Sequence, residues 1–200
     1  MIQRKLTGYR AAVGAIAAMG AIALGGAASA KDLTMGTTSP TSSHFTISVA
    51  MSKAIETGME GTNVSVIETG ASVDNVLRLA RDEIDLGLAT TDILISDRNG
   101  TGKFEGNAIP DTVALYPYSA SILLIAVTEE SGVTTLDELD GKKFNPGIRG
   151  SAAETLTTGV LSMFDINADL VHGAVGDAVE GIKNRQIIGY SKYGAANSVD

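Results

Sequence analysis

The chain has no cysteine and no tryptophan, only 4 prolines and 2 histidines, and aromatic residues make up 4% of it. Without a thiol there is no disulfide framework, no cysteine nucleophile and no attachment point for a lipid anchor. His44 and His172 lack the spacing of metal ligands and read as ordinary polar positions. Asp82-Glu83 with Asp85 reads as a solvated helix end, not a calcium loop. Also missing are a Gly-x-Ser-x-Gly elbow, a Ser-x-x-Lys pair and a phosphate-cradling Gly-x-x-x-x-Gly-Lys-Ser/Thr loop. These absences argue against an enzyme, and nothing calls for a cofactor or a metal.

Basic charge is scarce as well. The first 30 residues hold three basic residues, Arg4, Lys5 and Arg10, and no acidic one. The 15 basic residues less these three leave 12 against 23 acidic ones, a net charge of −11 from Lys31 onward. That balance argues against nucleic acid and anionic membrane surfaces as partners, but a small anionic solute can be held by local donors. Residues 1–30 read as a secretory signal: a basic start, the apolar run Ala11–Leu24, and Ala28-Ser29-Ala30 as a small-x-small cleavage site. The run is short of the roughly 20 residues of a membrane span. Export without cysteines fits the bacterial periplasm.

What is abundant is glycine, 23 residues, in a chain that is 44% apolar, a composition for many elements joined by tight turns. Val64 to Asp92 organises the reading. Val64–Ile67 is a strand, Glu68-Thr69-Gly70-Ala71-Ser72 a turn, and Val73–Arg81 a helix with Val73, Val76, Leu77 and Ala80 on one stripe. Ser72 is the expected N-cap, and Ile84, Leu86 and Leu88 alternate as a following strand. Before this unit come a strand at Asp32–Gly36 and a helix over His44–Thr57, so the opening is β-α-β-α-β and predicts a parallel sheet with right-handed crossovers. A short helix at Asp92–Arg98 precedes a polar loop. Thr112–Leu115 and Ser121–Thr128 read as strands, the second buried on both faces because Ile122–Val127 is continuously apolar. Another strand follows Lys142-Lys143-Phe144, then the loop Pro146-Gly147-Ile148-Arg149-Gly150 and a capping box Ser151–Glu154 opening a helix. Asp169–Val171, a helix at Asp177–Asn184 and a strand from Ile187 complete the order.

Three loop-to-helix junctions carry the candidate chemistry: Thr38-Ser39, Gly70-Ala71-Ser72 and Gly150-Ser151-Ala152. The first N–H groups of a helix have no internal partners, and the helix dipole favours an anion there. Parallel sheets gather such loops at the carboxyl ends of their strands, where ligands bind. Arg149 is either a bidentate clamp on a carboxylate or a solvated charge. Thr90, Thr91 and Asp92 end a strand at the same edge, and Asp92 either binds a ligand amine or caps its helix. Tyr116 and Tyr118 either stack on the ligand or pack in the core, and Tyr190 and Lys192 are weaker candidates to reach the cleft.

As a set, Gly36-Thr37-x-Ser39, Glu68-Thr69-Gly70-Ala71-Ser72-Val73-x-Asn75, Asp85-Leu86-Gly87-Leu88-x-x-x-Asp92, Ala114-Leu115-Tyr116-Pro117, Leu136-x-x-Leu139-x-Gly141-Lys142 and Gly150-Ser151-x-x-Glu154 resemble the TAXI family over residues 32–190. These are the solute receptors of tripartite ATP-independent periplasmic (TRAP) transporters. The resemblance implies an α/β fold of the two-lobe periplasmic-binding-protein type (type II), closing on a glutamate-like acid or an oxoacid and delivering it to the permease subunits in the membrane. It divides the chain into a signal (1–30), lobe one (31–113) and lobe two (114–200). It also implies that the chain is truncated, lacking the C-terminal portion of lobe one. The sequence departs from the family in the first loop, where Thr41 and Ser42 replace glycines and His44-Phe45 replaces a tyrosine pair, and at Gly150-Ser151-Ala152-Ala153, where Gly-Ser-Gly-Thr is usual. His44 thereby joins the candidate ligand residues. The sensory domain of a signalling receptor, built from similar lobes, is the alternative.

Overall fold

The computed structural model describes residues 31–109 and 111–194; the signal expected over residues 1–30 lies outside the described residues. The β-α-β-α-β opening is present: β1 (Lys31–Gly36), α1 (Ser43–Gly58), β2 (Thr62–Ile67), α2 (Ser72–Leu79) and β3 (Leu86–Gly87), followed by α3 (Thr91–Asn99). The sheet is parallel, in the order β2-β1-β3. Leu33, Met35 and Val64 are buried, with Met51 and Ile55 of α1 and Leu86 packed against them. The stripe on α2 behaves as its period requires: Val73 and Val76 are buried with Ile93 and Phe104. Each such side chain stabilises the fold by about 1.5–3 kcal/mol on burial. The last expected strand is shorter than its alternation suggests, two residues, although Ile84 before it is buried.

Asn75, on α2, is fully buried and ties three loops together. Its Nδ2 donates to the Thr37 carbonyl at 2.8 Å and the Leu88 carbonyl at 2.8 Å. Its Oδ1 lies 2.7 Å from the Thr69 hydroxyl, which also reaches the Thr37 carbonyl at 2.8 Å and has one proton to share between them. Residues 37, 69 and 88 follow β1, β2 and β3 respectively. The strands make room for this amide: a Cβ on Gly36 would sit 2.6 Å from Asn75 Oδ1, and one on Gly87 3.1 Å from Asn75 Cβ.

The second sheet holds β4 (Ile122–Val127), β5 (Lys143–Asn145), β6 (Asp169–Leu170) and β7 (Gly189–Gly194), in the order β4-β7-β5-β6. α4 (Ala152–Met163) and α5 (Val175–Lys183) connect its parallel strands. Its core is Leu139, Phe144, Leu161 and Ile166, with a smaller cluster of Ala178, Ile187 and Tyr190. Gly189 is required where β7 meets β4, because a Cβ there would collide with the Ala126 carbonyl.

Three expectations are corrected. Thr112–Leu115 is not a strand. Residues 112–121 have no regular structure, and Val113 and Leu115 are 75% and 73% exposed. A short apolar stretch needs a neighbouring ladder to become a strand, and none pairs there among the described residues. β4 is not buried on both faces: it is an edge strand among the described residues, antiparallel to β7, with Ile122 and Ile125 exposed. Ser72 is not the N-cap of α2. Ala71 holds that position at φ +68°, and the Ser72 hydroxyl accepts from Thr90 N–H at 3.3 Å.

Asn75→Ala should destabilise the fold by about 2 kcal/mol, since the Leu88 carbonyl loses its donor at about 1–3 kcal/mol while the Thr37 carbonyl keeps the Thr69 hydroxyl. The urea midpoint measures it; an unchanged midpoint would show that the Leu88 carbonyl finds another donor.

Candidate functional site

Loops from both sheets line one cleft of about 270 Å³, close to the lower end of the roughly 300–1,000 Å³ usual for ligand pockets. One wall is Thr37, Thr38, Ser39 and Ser42 after β1, Ala71 and Ser72 at the start of α2, and Leu88–Thr91 around the end of β3. The facing wall is Asn145, Gly147 and Ser151–Ala153 after β5, Gly173, and Tyr190–Tyr193 of β7. Tyr116 and Tyr118 come from the irregular segment that precedes β4.

Of the three junctions expected to offer free amides, the second and third differ. At α2 three amides of the turn are already taken. Gly70 N–H donates to Asp74 Oδ2 at 2.9 Å, Ala71 N–H to Thr69 Oγ1 at 3.2 Å, and Val73 N–H to the Gly150 carbonyl at 3.1 Å. Burial pushes the Asp74 carboxyl up, but the Arg78 guanidinium at 2.8 Å and the Gly70 N–H outweigh it and hold the group below its usual range. At α4 the Ser151 hydroxyl caps Glu154 N–H at 3.1 Å. The return arm of the capping box lands one residue early: Glu154 Oε2 accepts from Gly150 N–H at 3.0 Å, while Ser151 N–H donates to the Ile148 carbonyl. The first-turn amides of Ala152 and Ala153 have no acceptor within their own helix, and both residues line the cleft. Gly147, at φ +114°, permits this approach; a Cβ there would lie 2.9 Å from Ser151 Oγ and 3.0 Å from Ala153 Cβ.

His44 spans the cleft. Its Nε2 is 3.1 Å from the Tyr193 carbonyl, and its Nδ1 is 2.7 Å from the Tyr118 hydroxyl. A carbonyl only accepts, so in the neutral ring Nε2 carries the proton, and Nδ1 accepts from the phenol. The two rings meet edge to face at 5.9 Å. Burial of the phenol, with Tyr116 and Tyr193 beside it, pushes Tyr118 up to about 12. Tyr193 is raised too, by burial and by the charge of Asp92.

Four buried side-chain polar atoms among the described residues have no hydrogen-bond partner, and two of them line the cleft: Thr90 Oγ1 on one wall and Ser191 Oγ on the other. Ser191 is 2% exposed. Buried hydroxyls are almost always paired, so these two are exceptions at the cleft. Lys192, also buried, is the one Lys or Arg among the lining residues, and no Asp or Glu lines the cleft among the described residues.

Of the residues singled out in the sequence, Thr38, Ser39, His44, Ala71, Ser72, Thr91, Tyr116, Ser151 and Ala152 line the cleft, as do Tyr118, Tyr190 and Lys192. Gly70, Asp92, Arg149 and Gly150 do not. Arg149 is exposed, in a loop whose glycines at 147 and 150 both take positive φ. Asp92 stands in the first turn of α3, where a carboxylate favours the helix dipole. His172 lies 3.5 Å from buried Glu154, behind the start of α4. Sequence reasoning missed Asn145 and Ser191. Neither carries a local signal: Asn145 ends the short strand Lys143–Asn145 and Ser191 lies in the polar run Gly189–Gly194, so both depend on where the strands sit in the sheet.

Two sheets with helical connections, facing each other across a hydroxyl-lined cleft, define the type II periplasmic-binding-protein fold. Solved structures agree in fold. The alkanesulfonate-binding protein of Xanthomonas axonopodis pv. citri, bound to MOPS, superposes with TM-score 0.52 at 18% identity, covering 84% of this chain and 56% of that one. A binding protein component of an ABC phosphonate transporter from Pseudomonas aeruginosa gives 0.56 at 14% identity, covering 82% and 57%. The ligand-binding core of GluR0 from Nostoc punctiforme, in complex with L-glutamate, gives 0.50 at 18% identity, covering 80% and 69%. The chain therefore spans just over half the length of the first two. The chain belongs to the NMT1-like family, whose model matches residues 35–199. No curated protein sequence matches it.

The phenol makes a testable site marker. Spectrophotometric titration should find one tyrosine still protonated at about pH 11, and Tyr118→Phe should remove that phase. The raised value stabilises the fold fully below the unfolded value of 10, and this contribution is lost as pH climbs toward 12. Ionisation of every tyrosine near 10 would place Tyr118 in open water.

Proposed function

We propose that this chain is an extracytoplasmic solute receptor that captures a small organic acid in the cleft and delivers it to membrane permease subunits. The observation that carries this reading is the pair of buried, unpartnered hydroxyls, Thr90 and Ser191, facing one cleft from opposite walls beside Lys192. Residues 31–113 act as one lobe and residues from 114 onward as the other, with the irregular segment over 112–121 as the hinge. Opening and closing shift a population that the acid biases by binding both walls at once. The signal read over residues 1–30 supports a periplasmic location, and family membership supports binding rather than turnover. Of permease types, the TRAP system is favoured by the motif set running from Gly36 to Glu154. The likeness to binding proteins of ABC transporters is a likeness of fold and supports an ABC permease as the second reading. Uptake in cells carrying the receptor with its own permease separates them: a TRAP system stops when the ion gradient is collapsed, an ABC system when ATP is depleted.

Titration calorimetry against a panel of short carboxylates and sulfonates tests the receptor. Ser191→Ala and Thr90→Val should each weaken the binding acid by about tenfold, the worth of a hydrogen bond to a charged group, with little change in melting temperature. Full affinity in both variants would remove these hydroxyls from the site, and heat of product formation would make the protein an enzyme.

A further inference from the structure

His44 belongs to α1, Tyr193 to β7 of the other sheet, and Tyr118 to the irregular segment between the two halves. One imidazole therefore touches all three parts. Its place on α1 is fixed: the His44 N–H donates to the Ser42 hydroxyl at 3.2 Å, and its carbonyl accepts from Ser48 Oγ at 2.8 Å. A neutral imidazole has one donor and one acceptor, and here both are spent on the protein, on the Tyr193 carbonyl and the Tyr118 phenol. Burial, which pushes Tyr118 up to about 12, keeps the donating proton on that phenol. The edge-to-face packing of the two rings sets the plane of the imidazole. Every partner is a group of the chain itself, so the contact forms without a solute. Residues 112–121 have no regular structure, and the Tyr118 bond anchors them to α1. If β7 withdraws from α1, the Tyr193 bond breaks and the ring loses its second hold.

We infer that His44 is a latch: it ties β7 and the connecting segment to α1 and holds part of the population closed before any solute enters. The inference rests on the receptor reading for its two hinged lobes. A solute that finds the closed arrangement already populated loses less of its affinity to closure.

Distances between spin labels on the full chain, without solute, test it. The sequence has no cysteine, so Glu60→Cys and Met163→Cys supply two unique thiols at exposed positions. Glu60 lies just past the end of α1 and Met163 ends α4, and both helices start at the cleft, so opening swings the labels apart or together. Pulsed electron paramagnetic resonance should show a closed population that His44→Phe depletes, lowering the closed-to-open ratio about tenfold, the worth of two neutral hydrogen bonds. Tyr118→Phe, which loses one of them, should lower it about threefold, and should add nothing to His44→Phe. His44→Gln, whose amide keeps a donor and an acceptor, should stay closer to the parent than His44→Phe. Tyr118→Phe carries the test if His44→Phe fails to fold. A parent without a closed population, a ratio that neither variant moves, or equal loss in His44→Gln and His44→Phe overturns the latch. The receptor reading fails separately, by absence of binding across the acid panel, because the label distances are read without any acid.

Discussion

The buried amide of Asn75 is the constraint on which the first half of the molecule depends. It is one side chain, yet it fixes the ends of three strands by donating to carbonyls after β1 and β3 and accepting from a threonine after β2. A buried amide with unpaired atoms would be costly, so the three loops cannot drift independently without exposing or orphaning it. The cleft wall is made of those same loops. The precision of the wall is therefore set from behind, by a residue that does not line the cleft.

Seen this way, several separate features of the sequence become one. Gly36, Thr37, Thr69, Asn75 and Gly87 lie in three different motifs, but each either bonds Asn75 or leaves space for it. The organising helix was legible because its apolar stripe is local and its period unambiguous. The parallel first sheet was legible from the order of elements, and the second lobe from the family resemblance. What could not be read depends on partners distant in the chain. The pattern over Thr112–Leu115 carries no information about whether a ladder is nearby. β4 has the composition of a central strand and the position of an edge. Arg149 is next to the loop that forms the wall, but two positive-φ glycines decide which way that loop faces. Ser191 and Lys192 become meaningful only once β7 is known to run between β4 and β5.

The two halves touch across the cleft through a few small contacts. Val73 N–H reaches the Gly150 carbonyl, the His44 ring reaches the Tyr193 carbonyl, and Gly176 packs against Thr41. A hydrogen bond of this kind contributes about 0.5–1.5 kcal/mol net. Contacts of that size can hold a closed arrangement without locking it. A solute that satisfies the hydroxyls on both walls adds a comparable amount, enough to decide between the two arrangements. At the start of α2 the Val73 amide is taken by the opposite half, whereas the amides of Ala152 and Ala153 at the start of α4 have no acceptor in their own helix.

One consequence arises from where the tyrosines are. The chain has five, and Tyr116, Tyr118, Tyr190 and Tyr193 all line the cleft; the fifth, Tyr9, lies outside the described residues. There is no tryptophan to absorb their emission or mask it. The tyrosine fluorescence of residues 31–194 therefore originates at the cleft, and a change there can be followed optically in the unlabelled protein.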